Sequence, residues 1–183
     1  MGAYTGEHSA AMLVDAGVKW TLVGHSERRN GFGQIGEGSE LIAQKASNSL
    51  QCGMSVILCI GEHLPDREAG KALDVCIEML TPCVNLIQED EWKKVVIAYE
   101  PCWAIGTGRV ASPEQAEETH KQIRGWLSTT VSPYVAAQIR IIYGGSVNAK
   151  NCGNLIVCPN IDGFLVGGAS LKKEFADIIK CTE

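Results

Sequence analysis

The sequence lacks the features that mark nucleic-acid-binding and membrane proteins. No basic run is longer than a pair such as Arg28-Arg29 or Lys172-Lys173, and the net charge is −5. Nucleic acid is not an expected partner, because binding to it depends on clustered positive charge. No apolar stretch is long enough to span a bilayer, and the first residues do not show the charged-then-apolar order of a secretory signal. We expect a cytoplasmic protein without membrane contact.

The chain has no C-x-x-C pair, although it contains eight cysteines. Histidine pairs with ligand spacing are missing as well, so neither a zinc site nor a redox dithiol is expected. Several cysteines lie inside apolar runs, as Cys59 does in VILCIG, where a thiol packs as a small hydrophobe. The sequence therefore predicts reduced thiols, no metal and no cofactor.

No linker, low-complexity tract or fixed-length repeat interrupts the 183 residues, which suit a single domain over 1–183. Short apolar runs alternate with longer helical patterns, and such runs are typical of strands buried on both faces of a parallel sheet. The predicted strands are 20–23, 55–60, 95–99, 140–143 and 162–166. The predicted helices cover about 9–16, 39–51, 65–87, 113–130, 149–156 and 171–179.

The alternation of elements predicts α/β architecture, and the loops favour a barrel. Loops that follow strands are polar or Gly-rich, whereas loops that precede strands contain no such unusual residues. In a (β/α) barrel the chemistry lies on the face where the strands end. The loops after the five predicted strands read GHSERR, GEH, EPCWAIGTG, YGGS and VGGAS. We therefore predict a site at the carboxyl ends of the strands.

Glu100 directly follows the predicted strand 95–99 and is the first catalytic candidate. A carboxylate at the mouth of a buried strand, beside Pro101 and Trp103, suits a general base, and burial would raise its pKa. The alternative is that Glu100 is a solvated glutamate at the start of a loop. The loop 101–108 has an apolar middle and glycine near its end, which favours a lid that swings as a unit over a packed surface turn.

His25 follows the predicted strand 20–23, and Ser26 and Glu27 then resemble the first turn of a short helix. The positive end of a helix disfavours a charged imidazole, so we expect a lowered pKa for His25. A neutral ring can donate a hydrogen bond to a carbonyl oxygen on which charge develops. The alternative is a capping or buried structural histidine.

Two glycine pairs, Gly144-Gly145 and Gly167-Gly168, follow the last two predicted strands. Glycines allow backbone N–H groups to approach an anion closely, and this position matches the usual phosphate site of a barrel. We predict that the two loops bind a phosphate. The sequence shows no strong cation beside them, although an acidic chain that binds a dianion needs one nearby.

Four stretches together resemble signature sequences of the triosephosphate isomerase family. They are GHSERR at 24–29, AYEPCWAIGTG at 98–108, YGGSVN at 143–148 and DGFLVGGASLK at 162–172. The resemblance covers nearly the whole chain, in order and with comparable spacing. It implies the (β/α)8 TIM barrel fold, here as an incomplete barrel with about five parallel strands. It also implies interconversion of dihydroxyacetone phosphate and glyceraldehyde 3-phosphate, in glycolysis and gluconeogenesis, through an enediolate and without metal or cofactor.

The resemblance also implies roles for individual residues. Glu100 would be the proton acceptor and His25 the electrophile, with Glu27 in support. The substrate phosphate would meet Gly106, Ser146, Gly167 and Gly168. The lid would comprise Pro101, Cys102, Trp103, Ala104, Ile105, Thr107 and Gly108, and its latch would be formed by Tyr143, Ala111 and Ser146.

The stretch 2–9 resembles the family's loop that enters the partner subunit of a homodimer. Tyr4, Thr5 and Gly6 are therefore implied at a dimer interface, with Thr5 at the tip. A disordered polar tail is the alternative.

The sequence departs from the family in length, because members run to about 250 residues, the typical size of this barrel. The expected missing part is N-terminal and contains an Asn and a Lys that face the substrate. Five strands cannot close an eight-stranded barrel, so sheet edges would be exposed. We expect this chain alone to be weakly active or inactive. Cys102, where the family usually has Val, touches no assigned catalytic role.

Two other functions stay open at this point. One is another phosphate-binding barrel, such as an aldolase or an indole-forming synthase, although no candidate Schiff-base lysine follows a predicted strand. The other is a non-catalytic fragment that binds phosphate or dimerises.

Overall fold

Four parallel strands form a single sheet in the order β1-β2-β3-β4. The structure is a computed structural model that describes residues 6–31, 35–105 and 110–183. The strands are β1 (Trp20–Val23), β2 (Ser55–Ile60), β3 (Val95–Tyr99) and β4 (Arg140–Tyr143). These bounds agree with the sequence predictions. Each strand follows its neighbour in the chain, so that every connection crosses over through helices, as in a barrel.

The predicted fifth strand forms only one bridge. Phe164 pairs in parallel with Tyr143, and the Leu165 amide donates to the Tyr143 carbonyl over 2.9 Å. The Tyr143 amide in turn donates to the Gly163 carbonyl over 2.9 Å. The segment therefore continues the sheet beyond β4 without becoming a regular strand. The prediction of an incomplete parallel barrel is confirmed, with four strands and this bridge in place of five.

Helices occupy the connections that the periodicity predicted, with three differences. The helices are α1 (Ala10–Asp15), α2 (Ser26–Arg29), α3 (Ser39–Gln51), α4 (Leu64–Glu68), α5 (Ala72–Leu86), α6 (Pro113–Thr130), α7 (Pro133–Gln138), α8 (Cys152–Ile156) and α9 (Phe175–Lys180). Short 3-10 turns cover Glu89–Lys94, Cys102–Ala104 and Gly168–Leu171. No helix in the described part of the chain combines the length and apolarity needed to cross a membrane.

The three differences have local causes. The predicted helix 65–87 divides into α4 and α5 because Gly70 lies between them with φ +71°, which only glycine adopts without strain. The predicted helix 171–179 begins later, because Gly168–Leu171 forms a 3-10 turn first. Sequence analysis missed α7, although the Ser132 hydroxyl caps it by accepting from the Val135 amide over 3.2 Å.

The core lies between the sheet and helices α3, α5 and α6. Its largest fully buried side chains include Ile42, Leu80 and Ile123 from the helices and Leu58 and Ile97 from the strands. Strand β1 forms an edge of the sheet among the described residues, and Trp20 and Leu22 on it are 43% and 48% exposed. The sheet is therefore open, and its inner face is partly uncovered beside β1.

Candidate active site

The side chains of His25 and Glu100 meet at the carboxyl ends of the strands. Nε2 of His25 lies 3.1 Å from Oε1 of Glu100, and the Ser26 amide donates to Oε2 of Glu100 over 3.2 Å. The chain turns sharply after β1 at Gly24, whose φ of +76° delivers His25 to the start of α2. Glu100 follows β3 directly, and its own amide still donates to the Ile60 carbonyl over 2.7 Å.

Hydrogen bonds select the tautomer of His25. The Glu27 amide donates to Nδ1 of His25 over 3.3 Å, so that Nδ1 acts as an acceptor and carries no proton. A neutral ring then carries its proton on Nε2 and donates it to the Glu100 carboxylate. Glu27 therefore supports His25 through its backbone, and its carboxylate lies 3.8 Å from the same Nδ1.

The predicted lowering of the His25 pKa is wrong for this arrangement. The hydrogen bond to Glu100 raises the pKa of His25 above its ordinary value, and the charges of Glu100 and Glu27 act in the same direction. Burial acts in the opposite direction but does not prevail. Sequence analysis considered only the helix end and missed the carboxylate, because nothing in the spacing placed Glu100 against the ring.

Two glycines lie against Glu100, which is 2% exposed. A Cβ added to Gly61, at the end of β2, would lie 1.7 Å from the Glu100 carbonyl oxygen. A Cβ added to Gly144 would lie 2.8 Å from Cγ of Glu100. Glycine at 61 therefore allows the backbone of Glu100 to lie against the end of β2, and glycine at 144 leaves room for its side chain.

One cavity of about 500 Å³ connects this pair with both glycine loops. Its wall brings together the predicted residues His25, Glu100, Ser146, Gly167 and Gly168. Within the described ranges, no group accepts a hydrogen bond from the backbone N–H of Ser146 or of Gly167. Free amides of this kind at the wall of a cavity are suited to bind an anion.

The described part of the predicted lid packs against Glu62 and Ser146. The indole Nε1 of Trp103 donates to Oε1 of Glu62 over 2.9 Å, and the Ser146 hydroxyl donates to the Ala104 carbonyl over 2.6 Å. The residues Pro101, Cys102 and Ile105 lie in or beside the 3-10 turn Cys102–Ala104. The predicted lid or phosphate residues Gly106, Thr107 and Gly108 lie outside the described residues.

Tyr143, predicted as a latch, faces the far end of the lid. Its hydroxyl is buried and has no hydrogen-bond partner of standard geometry among the described residues. Burial raises the pKa of Tyr143 to about 12, and the backbone of Ala111 lowers it, which places the Ala111 amide beside the phenol oxygen. A Cβ at Gly145 would lie 2.2 Å from that oxygen, so only glycine at this position leaves room for the phenol ring.

Three residues important to the site escaped the sequence analysis. Glu62 is fully buried and accepts a second hydrogen bond of 3.0 Å from the Tyr99 hydroxyl. Arg29 donates to the carbonyls of Gly24 and Cys59 over 2.8 and 3.0 Å, which ties the ends of β1 and β2 together. Lys172 lines the cavity beside the second glycine pair. The only sequence signal for these three residues is their position in the loop motifs that follow the strands.

The expectation that no cation lies near the glycine loops is therefore wrong. Lys172 follows the 3-10 turn Gly168–Leu171, and its side chain reaches the cavity rim. The sequence could not show this, because the direction of an exposed lysine depends on the turn before it.

The thiols near the site are protonated at neutral pH. Burial raises the pKa of Cys102 to about 11 and also raises that of Cys59. Since the thiolate is the nucleophile, these cysteines are poor candidates for covalent chemistry. Within residues 6–31, 35–105 and 110–183, no group of three or more His, Cys, Asp or Glu is arranged to hold a metal ion.

The predicted dimer loop is described only from Gly6 onward, and Tyr4 and Thr5 lie outside the described residues. Gly6 has a φ of +90°, and a Cβ added to it would have no described atom within 4 Å. Glu7 next to it pairs with Arg28 of α2 over 3.2 Å, so the loop lies beside the helix that begins after His25.

The strands are parallel and are connected through helices, and the candidate groups lie at the carboxyl ends of the strands. These two features place the chain in the class of (β/α)-barrel enzymes. The sequence profile of the triosephosphate isomerase family matches residues 1–182. The chain belongs to that family, and its relatives support an isomerase function.

Proteins that are named triosephosphate isomerase align with almost all of this chain. The triosephosphate isomerase of Paracoccidioides lutzii is 53% identical over 178 residues, which cover 97% of this chain and 70% of that protein. The chloroplastic triosephosphate isomerase of Secale cereale is 56% identical over 97% of this chain and 58% of its own length. The cytosolic enzyme of Gracilaria gracilis is 53% identical, with 97% and 70% covered. The chain thus spans between 58% and 70% of these relatives.

Proposed function

We propose that this chain interconverts dihydroxyacetone phosphate and glyceraldehyde 3-phosphate by moving a proton between adjacent carbons. The observation that carries the proposal is the 3.1 Å contact between His25 Nε2 and Glu100 Oε1 at the wall of a cavity that also contains both glycine loops. An acid–base pair within reach of one substrate, beside an anion site, is what such an isomerisation requires.

The proton transfer follows from the positions of the two side chains. The substrate carbonyl oxygen takes the place of Glu100 as acceptor of the His25 Nε2–H hydrogen bond. The freed Glu100 carboxylate removes a proton from the neighbouring carbon, and His25 stabilises the negative charge that develops on oxygen. Nε2 of His25 gives its proton to the former carbonyl oxygen and takes the proton of the neighbouring hydroxyl in return. Glu100 then returns its proton to the other carbon, which completes the exchange of ketone and aldehyde.

The glycine loops and the lid supply binding and water exclusion. The backbone amides of Ser146, Gly167, Gly168 and Gly106 bind the phosphate in this proposal. Closing of the lid over the cavity excludes water, which strengthens the electrostatic interactions and limits loss of phosphate from the enediolate. The hydrogen bond from Ser146 to Ala104 supports a latch between the lid and the phosphate loop.

The proposed activity of the isolated 183-residue chain is weak, because the sheet described here is open beside β1. A sensitive test is the incorporation of deuterium from D2O into dihydroxyacetone phosphate, which reports enediolate formation even at low rates. The chain should be prepared from a host that lacks its own isomerase, and Glu100→Gln is the matched variant. Incorporation that depends on Glu100 supports the proposal.

The second candidate function is a non-catalytic fragment that binds phosphate, which the free amides of Ser146 and Gly167 favour. Phosphate binding without any deuterium incorporation above the buffer rate would establish this alternative and overturn the isomerase proposal for the isolated chain.

A homodimer and a cytoplasmic location complete the proposal. Residues 2–9 are the proposed dimer contact, and the position of Glu7 beside α2 supports a link between this loop and the site. Sedimentation of the chain and of Thr5→Arg tests this, since a large charged side chain at the loop tip should shift a dimer toward monomer. The cysteines are free thiols, in keeping with a reducing compartment.

A further inference from the structure

Lys172 lies on the rim of the cavity that contains His25 and Glu100. Among the described residues that line this cavity, four carry titratable side chains, namely His25, Glu100, Lys172 and Glu174. Lys172 is the one of these four that ends in an ammonium group, a compact point charge with three hydrogen-bond donors. A phosphate in the cavity therefore has this ammonium group on the wall around it.

Glu174 holds Lys172 only loosely. Nζ of Lys172 lies 3.7 Å from Oε1 of Glu174, which is beyond hydrogen-bond length, and the lysine side chain is 68% exposed. The other carboxylate oxygen of Glu174 accepts a hydrogen bond of 3.3 Å from the Ala149 amide. An exposed ion pair of this kind contributes little to stability, so a stronger anion can displace it.

The backbone of Lys172 is fixed close to the second glycine pair. Its amide donates to the Ala169 carbonyl over 3.1 Å, and Ala169 itself lines the cavity after Gly167 and Gly168. The ammonium group ends a flexible four-carbon stem, so it can move without any change in the backbone. Lys172 can thus turn from Glu174 toward an anion held by the loop amides.

We propose that Lys172 leaves Glu174 on binding and pairs with the substrate phosphate, while Glu174 serves as its exchangeable counter-ion in the free site. The dianion carries twice the charge of the carboxylate, which favours the exchange. Glu174 keeps its hydrogen bond with Ala149 throughout, so the loop that carries Ser146 stays in place. The inference rests on the proposed function for the identity of the substrate, but inorganic phosphate presents the same charge.

Four single variants separate this exchange from a general effect of charge. Lys172→Gln removes the ammonium group, and Lys173→Gln removes the neighbouring one, which does not line the cavity. Glu174→Gln removes the competing charge but retains an oxygen that can accept from Ala149. Asp177→Asn removes an exposed negative charge from the next turn and serves as the control for Glu174.

The measurement is a titration of each isotope-labelled chain with inorganic phosphate in mildly alkaline buffer, followed through the amide signals of Ser146 and Gly167. We expect Lys172→Gln to weaken binding about three-fold and Glu174→Gln to tighten it about two-fold, as for exposed charge pairs. Lys173→Gln and Asp177→Asn should leave affinity within error of the parent chain. An unfolded variant would be evident in the same spectra.

The other outcomes overturn the inference. Equal weakening by both lysine variants means that phosphate responds to overall charge alone. If the parent chain binds phosphate and Lys172→Gln binds it with unchanged affinity, Lys172 is not part of the phosphate site. That result does not affect the proposed isomerase function. If phosphate does not shift the amide signals of Ser146 and Gly167 in the parent chain, both the proposed exchange and the proposed phosphate site are wrong. Glu100-dependent deuterium incorporation tests the isomerase chemistry separately.

Discussion

The imidazole of His25 and the carboxylate of Glu100 share a hydrogen bond of 3.1 Å, although their strands, β1 and β3, are separated by β2. Gly61, which directly follows β2, has no side chain, and the backbone of Glu100 lies against it. A general base and a hydrogen-bond donor are thereby positioned together before any ligand arrives.

The first prediction concerns the protonation of His25. Because the Glu100 carboxylate raises the pKa of His25, Glu100→Gln should lower it toward or below the ordinary value of 6.5. The ring signals of His25, followed by NMR as a function of pH, measure this directly. His120 provides an internal control, because burial lowers its pKa to about 4 and it should respond little to Glu100. An unchanged His25 titration in Glu100→Gln would show that the carboxylate is not the cause.

The same pKa predicts how stability depends on pH. A raised pKa in the folded chain means that protonation of His25 favours folding. This contribution is fully present below the unfolded value near 6.5 and is lost as the pH rises through the higher folded value. The free energy of unfolding, compared between the parent chain and His25→Gln by urea titration, should therefore differ more at acidic than at alkaline pH. A difference that grows with pH would contradict this sign.

The second glycine beside Glu100 gives a third prediction. Gly144→Ala would place a Cβ 2.8 Å from Cγ of Glu100, so the carboxylate must move away from His25. Since such misplacement of a base costs on the order of 10²-fold in rate, Glu100-dependent deuterium incorporation should fall by about this factor. Gly153→Ala is the control, because a Cβ there has no atom within 4 Å. Equal rates for both variants would indicate that Glu100 does not need this position.

The fourth prediction tests the latch between Ser146 and the lid. Ser146→Ala removes the donor to the Ala104 carbonyl, and a lost hydrogen bond of this type costs about 1 kcal/mol. Hydrogen exchange at the amides of Ala104 and Ile105 should accelerate, by about five-fold for that energy. Ser49→Ala serves as the control, because its hydroxyl makes a similar bond of 2.8 Å to Lys45 within α3. Faster lid exchange in both variants would point to a general loss of stability.

The elements that local signals define were predictable from the sequence. The bounds of β1 to β4 follow from short apolar runs that end in glycine or polar residues. The start of α6 follows from Ser112 and Gln115, which form the expected reciprocal cap with bonds of 3.2 and 3.0 Å. The same kind of signal before α7 was present in Ser132 and was overlooked.

The features that depend on tertiary contacts were not predictable. The pKa of His25 depends on a carboxylate 75 residues further along the chain, and the cation at the cavity rim depends on where a 3-10 turn directs Lys172. Glu62 gave no sign of burial in its loop, yet it joins Tyr99 to Trp103 through a single oxygen. In each case residues distant in sequence determine the property, and one sequence does not place them.

The central claim is that a single ligand spans the acid–base pair and the glycine loops. The most direct test is an NMR titration with phosphoglycolate, whose carboxylate resembles the enediolate and whose phosphate resembles that of the substrate. The account predicts that the His25 ring signals and the amide signals of Ser146 and Gly167 shift together along one binding curve. Shifts confined to the loop amides, or two curves with different affinities, would contradict it.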